Sequence, residues 1–377
     1  MPTLIFIHGR GLKPPKDIER QNWLDAMNRG LQRLNPPLQQ LPNDAQHVRL
    51  AYWSDLFYPP ETIANQGQVN APAGIVDATP AGLTDAQTRS IQALVDHFWN
   101  WRLPQPAAAA PPDPTTRQFE DGFVRDVVKF FGLGYGESCA EPLRQELIAV
   151  DSGDEVILVS HSFGTVIAYD VLIRDLDMVN QSRAQSGRAP LAIDTWVTMG
   201  SPLGWAIDLQ AELPAWNEQL LTQVDQGVQP ALQDARTIIQ DIGDAVQHRL
   251  DLLRQQAPPA AAQSQPVAVV QLPPKRFPQM IGRWFNIYDT RDPVACAGGF
   301  SGLAGGSLAV GGTFLYTDQQ GEDRQRAFDT TIRNDFCPPD VAGTDIRAHD
   351  DYYGYGQCAQ LAQVVADTWQ RYNGQWA

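Results

Sequence analysis

The strongest constraint on this chain is a short apolar run that meets a polar turn and then a helical segment, with no spacer between them. Val-Ile-Leu-Val-Ser at 156–160 has the form of a strand buried on both faces. Ser160-His161-Ser162-Phe163-Gly164 follows at once, and 165–172 reads as a helix. A side chain on so tight a strand-to-helix turn needs small residues two positions before and after it, because larger ones would strike the adjoining strand and helix. Ser160 and Gly164 occupy those positions around Ser162.

Further strands are predicted at 3–7, 48–53, 192–199, 284–288 and around 314–316, with a helix at 21–34 whose Trp23, Leu24, Met27, Leu31 and Leu34 recur at helical spacing. Strands alternating with helices predict an α/β fold, with a mostly parallel central sheet flanked by helices. A length of 377 residues allows several small domains or one large domain with insertions. With 43% hydrophobic and 19% charged residues the chain can build a core, which excludes global disorder.

The arrangement expected is one domain over 1–377 with helical insertions at about 58–120 and 205–275, each closed by a Pro/Ala-rich stretch, 104–114 and 257–266. In the second insertion Leu232, Ala235, Ile239, Ile242, Val246, Leu250 and Leu253 form an apolar stripe. Such a stripe serves either a lid over a substrate pocket or a hairpin packed permanently on the core. No internal repeat is present.

The formal charge of −15 argues against nucleic acid and against electrostatic docking on anionic lipid. Cys139, Cys296, Cys337 and Cys358 form no Cys-x-x-Cys pair, so reduced thiols are expected, with no disulfide framework and no zinc site. The start of the chain lacks a basic segment followed by a long apolar one, and no run of about 18 apolar residues occurs. The expectation is a cytoplasmic protein with no integral membrane segment, its oligomeric state open.

A serine on such a turn is inert without a base to take its proton and donors to hold an oxyanion. The helix after Ser162 aims its positive end at the turn, and the backbone N–H of Phe163 is one candidate donor. His8-Gly9-Arg10-Gly11, closing the first strand, offers the backbone N–H of Arg10 as a second. An orienting acid is expected after a later strand, where Asp292 in Asp-Pro-Val is preferred to the competing Asp289. Of the six histidines, His248 and His349 follow the serine at a distance suited to a base. His248 falls within the amphipathic helix, and His349 lies in a polar loop before the last helix. The order Ser, Asp, His therefore favours His349.

With His8-Gly9, the Ser162 turn, Gly200-Ser201-Pro202, Asp292-Pro293-Val294 and the loop His349-Asp350-Asp351-Tyr352 taken together, the chain resembles the α/β-hydrolase superfamily, in particular its lipase- and esterase-like members. The resemblance implies a nucleophile at Ser162, an acid at Asp292, a base at His349 and an oxyanion hole from the Arg10 and Phe163 backbones. His8, Gly9, Gly11, Ser160 and Gly164 would support the turn and loop. Ser160 departs from the family, most members of which carry glycine there.

The implied activity is metal-independent, cofactor-free cleavage of a small-molecule or lipid-like carboxylic ester through an acyl-enzyme. An acyltransferase or thioesterase using the same residues remains an alternative, as does a non-catalytic interaction protein on a hydrolase scaffold. Three other features are expected to supply no oxyanion donor, phosphate site or metal site. Ser201 precedes a proline that lacks an N–H. The glycine-rich stretch 298–312 lacks a phosphate-loop lysine, and Asp345, His349, Asp350 and Asp351 have no partner metal motif.

Overall fold

The computed structural model describes residues 2–34, 36–58, 83–102, 114–255, 281–289, 292, 294, 316–317, 323–324, 327–332, 349 and 361–367. The chain divides into two compact units. The first comprises Met1–Thr79, Ala140–Leu203 and Arg276–Ala377, and the second Pro80–Cys139 and Gly204–Lys275.

In the first unit the strands are β1 (Thr3–Ile7), β2 (Val48–Ala51), β3 (Val156–His161), β4 (Ile193–Met199), β5 (Ile281–Asp289), β6 (Tyr316–Thr317), β7 (Asp323–Arg324) and β8 (Ala327–Ile332). Six of them form one sheet in the order β2-β1-β3-β4-β5-β8, every pairing parallel. The fold is therefore of the α/β class, as expected. The predicted strand near 314–316 is instead the two-residue β6, paired antiparallel with β7 outside this sheet. Strand β8 went unpredicted, because Ala-Phe-Asp-Thr-Thr-Ile lacks the apolar run that marks β3.

Period-two alternation sorts the side chains onto two faces. Leu4, Phe6, Ile157, Val159, Val197, Met199 and Ile287 share one face. They pack in a single cluster with Trp23, Leu24, Met27 and Leu31 of helix α1 (Lys16–Arg33) and with Leu361, Ala362, Val365 and Ala366 of the helix at 361–367. The other face is also buried, and there two tryptophans lock three strands together. Trp196 and Trp284 stack with centroids 4.2 Å apart. Each indole N–H donates to a hydroxyl on the preceding strand: Trp196 to Ser160 Oγ at 2.8 Å, and Trp284 to Thr198 Oγ1 at 2.9 Å. Thr198 passes the chain on to Asn286 Oδ1 at 2.8 Å. Burying indoles and hydroxyls together leaves none of these polar groups unmatched.

The first unit further holds α2 (Ser54–Phe57) directly after β2. The second unit is helical, with α3 (Asp85–Arg102) and α4 (Pro114–Gly132). Helix α5 (Tyr135–Ala149) enters the first unit at Ala140, and α6 (Phe163–Arg174) and α7 (Leu176–Gln185) follow there. Helix α8 (Leu203–Asp225), a 3₁₀ turn at Pro230–Ala235 and α9 (Arg236–Gln255) complete the set.

The predicted stripe is the buried face of α9 and of that turn. Leu232, Ala235, Ile239, Ile242, Val246 and Leu250 are all buried, whereas His248 is exposed. Its neighbours include α4, where Phe123, Val124, Val127 and Val128 are buried and where Phe130 and Phe131 lie beneath the Arg249 guanidinium. Among the described residues no helix is long and apolar enough to cross a membrane.

Truncating the stripe tests this packing. Ile242→Ala is expected to destabilise the protein by about 2–5 kcal/mol through lost burial and the cavity left behind. His248→Ala on the exposed face of the same helix should stay within about 0.5 kcal/mol of wild type. Urea unfolding of the two variants checks the difference.

Candidate active site

Ser162 lies between the last residue of β3 and the first of α6, with φ 52° and ψ −130°. It is the one non-glycine residue with positive φ among those described. For an L-residue that conformation costs about 1–3 kcal/mol and persists only where surroundings enforce it. Here the Ser162 N–H donates to Met199 O at the end of β4 at 3.0 Å. The Ser162 carbonyl accepts the N–H of Thr165 at 2.9 Å and its hydroxyl at 2.7 Å. Since the Thr165 hydroxyl proton is thus committed, Ser201 Oγ donates to Thr165 Oγ1 at 2.8 Å, and itself accepts Leu203 N–H at 3.3 Å. Ser201 therefore braces the turn.

Close backbone approach explains the glycines. A Cβ on Gly164 would collide with the carbonyl oxygens of Ile7 and His8, so α6 can start this near β1 only without one. A Cβ on Gly9 would lie 2.7 Å from Ser162 Cβ and 2.8 Å from His161 Nδ1, which sets the 8–11 loop directly against the turn. A serine is accommodated at 160 because its side chain faces the tryptophan ladder. Its hydroxyl accepts from Trp196 and donates to Val197 O at 3.3 Å.

The 8–11 loop is fixed from beneath. His8 is fully buried. The Trp53 N–H donates to its Nε2 at 3.0 Å, so the ring proton sits on Nδ1 and is given to Gly9 O at 2.9 Å. The Trp53 indole N–H donates to His8 O at 3.0 Å, and the two rings stack 4.9 Å apart. Burial, with repulsion from Lys13 as a second cause, pushes His8 from 6.5 down to about 3, which keeps it neutral. Gly11 N–H donates to Tyr58 Oη at 3.1 Å, and Ser54 Oγ accepts Lys13 N–H at 3.1 Å. Arg10, between these anchors, is partly exposed, whereas Phe163, the first residue of α6, is buried.

Ser162 and two side chains from distant parts of the sequence form one hydrogen-bonded series. His349 Nε2 is 2.7 Å from Ser162 Oγ, and His349 Nδ1 is 3.1 Å from each Asp292 oxygen. A carboxylate accepts, so Nδ1 carries a proton, and in the tautomer protonated there alone Nε2 accepts from the serine hydroxyl. Asp292 and His349 are buried. The carboxylate is held in turn by Val294 N–H at 2.7 Å on Oδ1, and Asp292 N–H donates to Asp289 O at 3.0 Å. Of the two carboxylates, Asp292 is the one hydrogen-bonded to His349, and Asp289 closes β5. His349 is the imidazole at the serine, and His248 belongs to α9 in the second unit.

One further residue lies at the site, and its sequence pattern implies no role for it. His161, buried beside Ser162, has its Nε2 3.0 Å from the His349 carbonyl oxygen, and the two imidazoles stack with centroids 5.0 Å apart and planes at 29°. Burial chiefly, then the proximity of His349 and Lys13, holds His161 well below the usual histidine range. It is therefore a neutral donor through Nε2–H. The signal in sequence was only its place within the turn, since its partner lies 188 residues on.

Among the described residues no group of three or more His, Cys, Asp or Glu side chains converges as metal ligands do. Asp345, Asp350, Asp351, Pro293 and the stretch 298–312 lie outside the described residues.

Ser160→Gly is expected to keep the turn but orphan the buried Trp196 N–H, costing about 1–3 kcal/mol in thermal unfolding. The neutral histidines also set a pH dependence. His8 binds its proton near pH 6.5 when unfolded but only near pH 3 when folded, so stability present above pH 6.5 is lost as pH falls towards 3. His8→Asn should flatten the profile of the unfolding free energy, measured with urea between pH 6.5 and 5, by up to about 1.4 kcal/mol per pH unit. No protein-family model, curated protein or solved structure matches this chain.

Proposed function

We propose that this protein is a serine hydrolase of the α/β-hydrolase type that cleaves carboxylic esters through an acyl-enzyme. The observation that carries the reading is the hydrogen-bonded series Ser162–His349–Asp292, its serine held at positive φ where a parallel strand enters a helix. A hydroxyl, an imidazole and a carboxylate in this order and at these distances support the roles of nucleophile, base and orienting acid in acyl transfer.

In this reaction Ser162 Oγ attacks the ester carbonyl carbon while its proton passes to His349 Nε2. Asp292 accepts from Nδ1–H throughout, which fixes the tautomer and stabilises the imidazolium. The carbonyl oxygen gains the negative charge and is met by the backbone N–H groups of Phe163 and Arg10, with the positive end of α6 behind them. As the tetrahedral adduct collapses, the C–O bond to the alcohol breaks and the alcohol leaves with the proton from His349. Water then attacks the acyl-enzyme and gives a proton to His349. Release of the acid returns that proton to Ser162.

An uncharged or lipid-like ester suits the chain better than a polyanionic one. The net charge of −15 disfavours anionic substrates, and the residues behind the loop and turn are aromatic: Trp53, Phe57, Tyr58 and Phe163 lie with ring centroids between 5.3 and 6.3 Å apart.

Labelling by a fluorophosphonate and turnover of p-nitrophenyl esters test the assignment. Ser162→Ala is expected to abolish labelling and lower turnover by about 10⁴-fold or more. Asp292→Asn should keep the fold and lower kcat by about 10³–10⁴-fold through the wrong tautomer. Full labelling of Ser162→Ala overturns the assignment.

A further inference from the structure

The contacts of His349 with Ser162 and Asp292 run along one axis of its ring, through Nε2 and Nδ1. Rotation about that axis tilts the imidazole while both hydrogen bonds keep much of their length. A base held only in this way is defined in two directions and loose in the third. Proton transfer is sensitive to that looseness, because a displacement of about 1 Å in a reacting group costs on the order of 10²-fold in rate.

We propose that His161 is a positioning residue that ties the base to the backbone of the nucleophile. Two contacts do this. The Nε2–H of His161 donates to the His349 carbonyl oxygen at 3.0 Å and anchors the main chain from which the base projects. The His161 ring stacks on the His349 imidazole at 5.0 Å and 29°, which blocks tilting on that side. Because His161 is the residue before Ser162, any shift of the turn carries serine and base together, so their 2.7 Å separation is kept.

The surroundings of His161 fit this task. It ends β3, paired with Met199 of β4, and Gly9 leaves its ring the room that a side chain would fill. Burial keeps it neutral, so it adds no repulsion when His349 becomes an imidazolium. His161 touches neither the attacked bond nor the leaving group, and acts only through His349.

This inference rests on the hydrolase reading, and a pair of variants separates its own failure from that of the reading. His161→Phe keeps a ring but removes the donor, whereas His161→Gln offers an amide donor at about the reach of Nε2. With p-nitrophenyl ester as probe, His161→Phe is expected to lower kcat by about 10- to 100-fold while KM changes by less than about twofold. His161→Gln should recover kcat to within about threefold of wild type. If His161→Phe does not fold, His161→Asn, too short to reach the carbonyl, replaces it.

A crystal structure of the donor-less variant should show the His349 ring turned away from Ser162, a readout independent of turnover. The proposal is overturned if His161→Phe keeps wild-type kcat, if His161→Gln loses as much as His161→Phe, or if His349 stays in place in that crystal structure. Should Ser162→Ala itself retain turnover, the hydrolase reading falls, and the position of His349 in the variant structure still decides the role of His161.

Discussion

The positive-φ backbone of Ser162 is the constraint on which the other arrangements around the site depend. A strained residue needs compensating contacts, and they come from every neighbouring element. The end of β4 takes its N–H, Thr165 takes its carbonyl, and Ser201 braces Thr165. The turn also forces α6 to start beside the end of β1, which only a glycine at 164 permits. Because the strain is spread over β1, β3 and β4, the central sheet enforces the geometry of the serine.

The same logic reaches outward through neutral buried histidines. His8 holds the 8–11 loop to Trp53, and His161 holds His349 to the turn. Each sits in a defined tautomer, His8 using both ring nitrogens and His161 donating through Nε2, and each is uncharged because burial makes the cation costly. Rigid placement of the 8–11 loop and of His349 thus comes from groups that carry no charge of their own. An imidazolium formed on His349 would face the Asp292 carboxylate as its counter-charge.

Ser160 shows how a side chain is accommodated where so tight a turn demands a small residue. A glycine there would satisfy the steric demand of the turn, yet the serine hydroxyl serves the tryptophan ladder of β3, β4 and β5. The side chain points away from the turn because alternation along β3 sends residues 158 and 160 to the tryptophan face.

Much of the fold was legible in the sequence because its signals are local. The strands at 3–7 and 156–160 and the stripe of α9 follow from short runs and spacing, and Ser162 stands out because so tight a turn demands small neighbours. Strand β8 was not legible, since Asp329 and paired threonines give it no apolar run and its place next to β5 comes from the sheet. Excluding Asp289 beside the preferred Asp292, and giving His161 a part, lay equally beyond the sequence. Both depend on distances between residues separated by 57 and 188 positions, which only the folded sheet brings to about 3 Å. The sequence determined which residues were able to do chemistry. The tertiary structure decided which of them meet, because hydrogen bonding at that range is a property of side chains in space and not of their order along the chain.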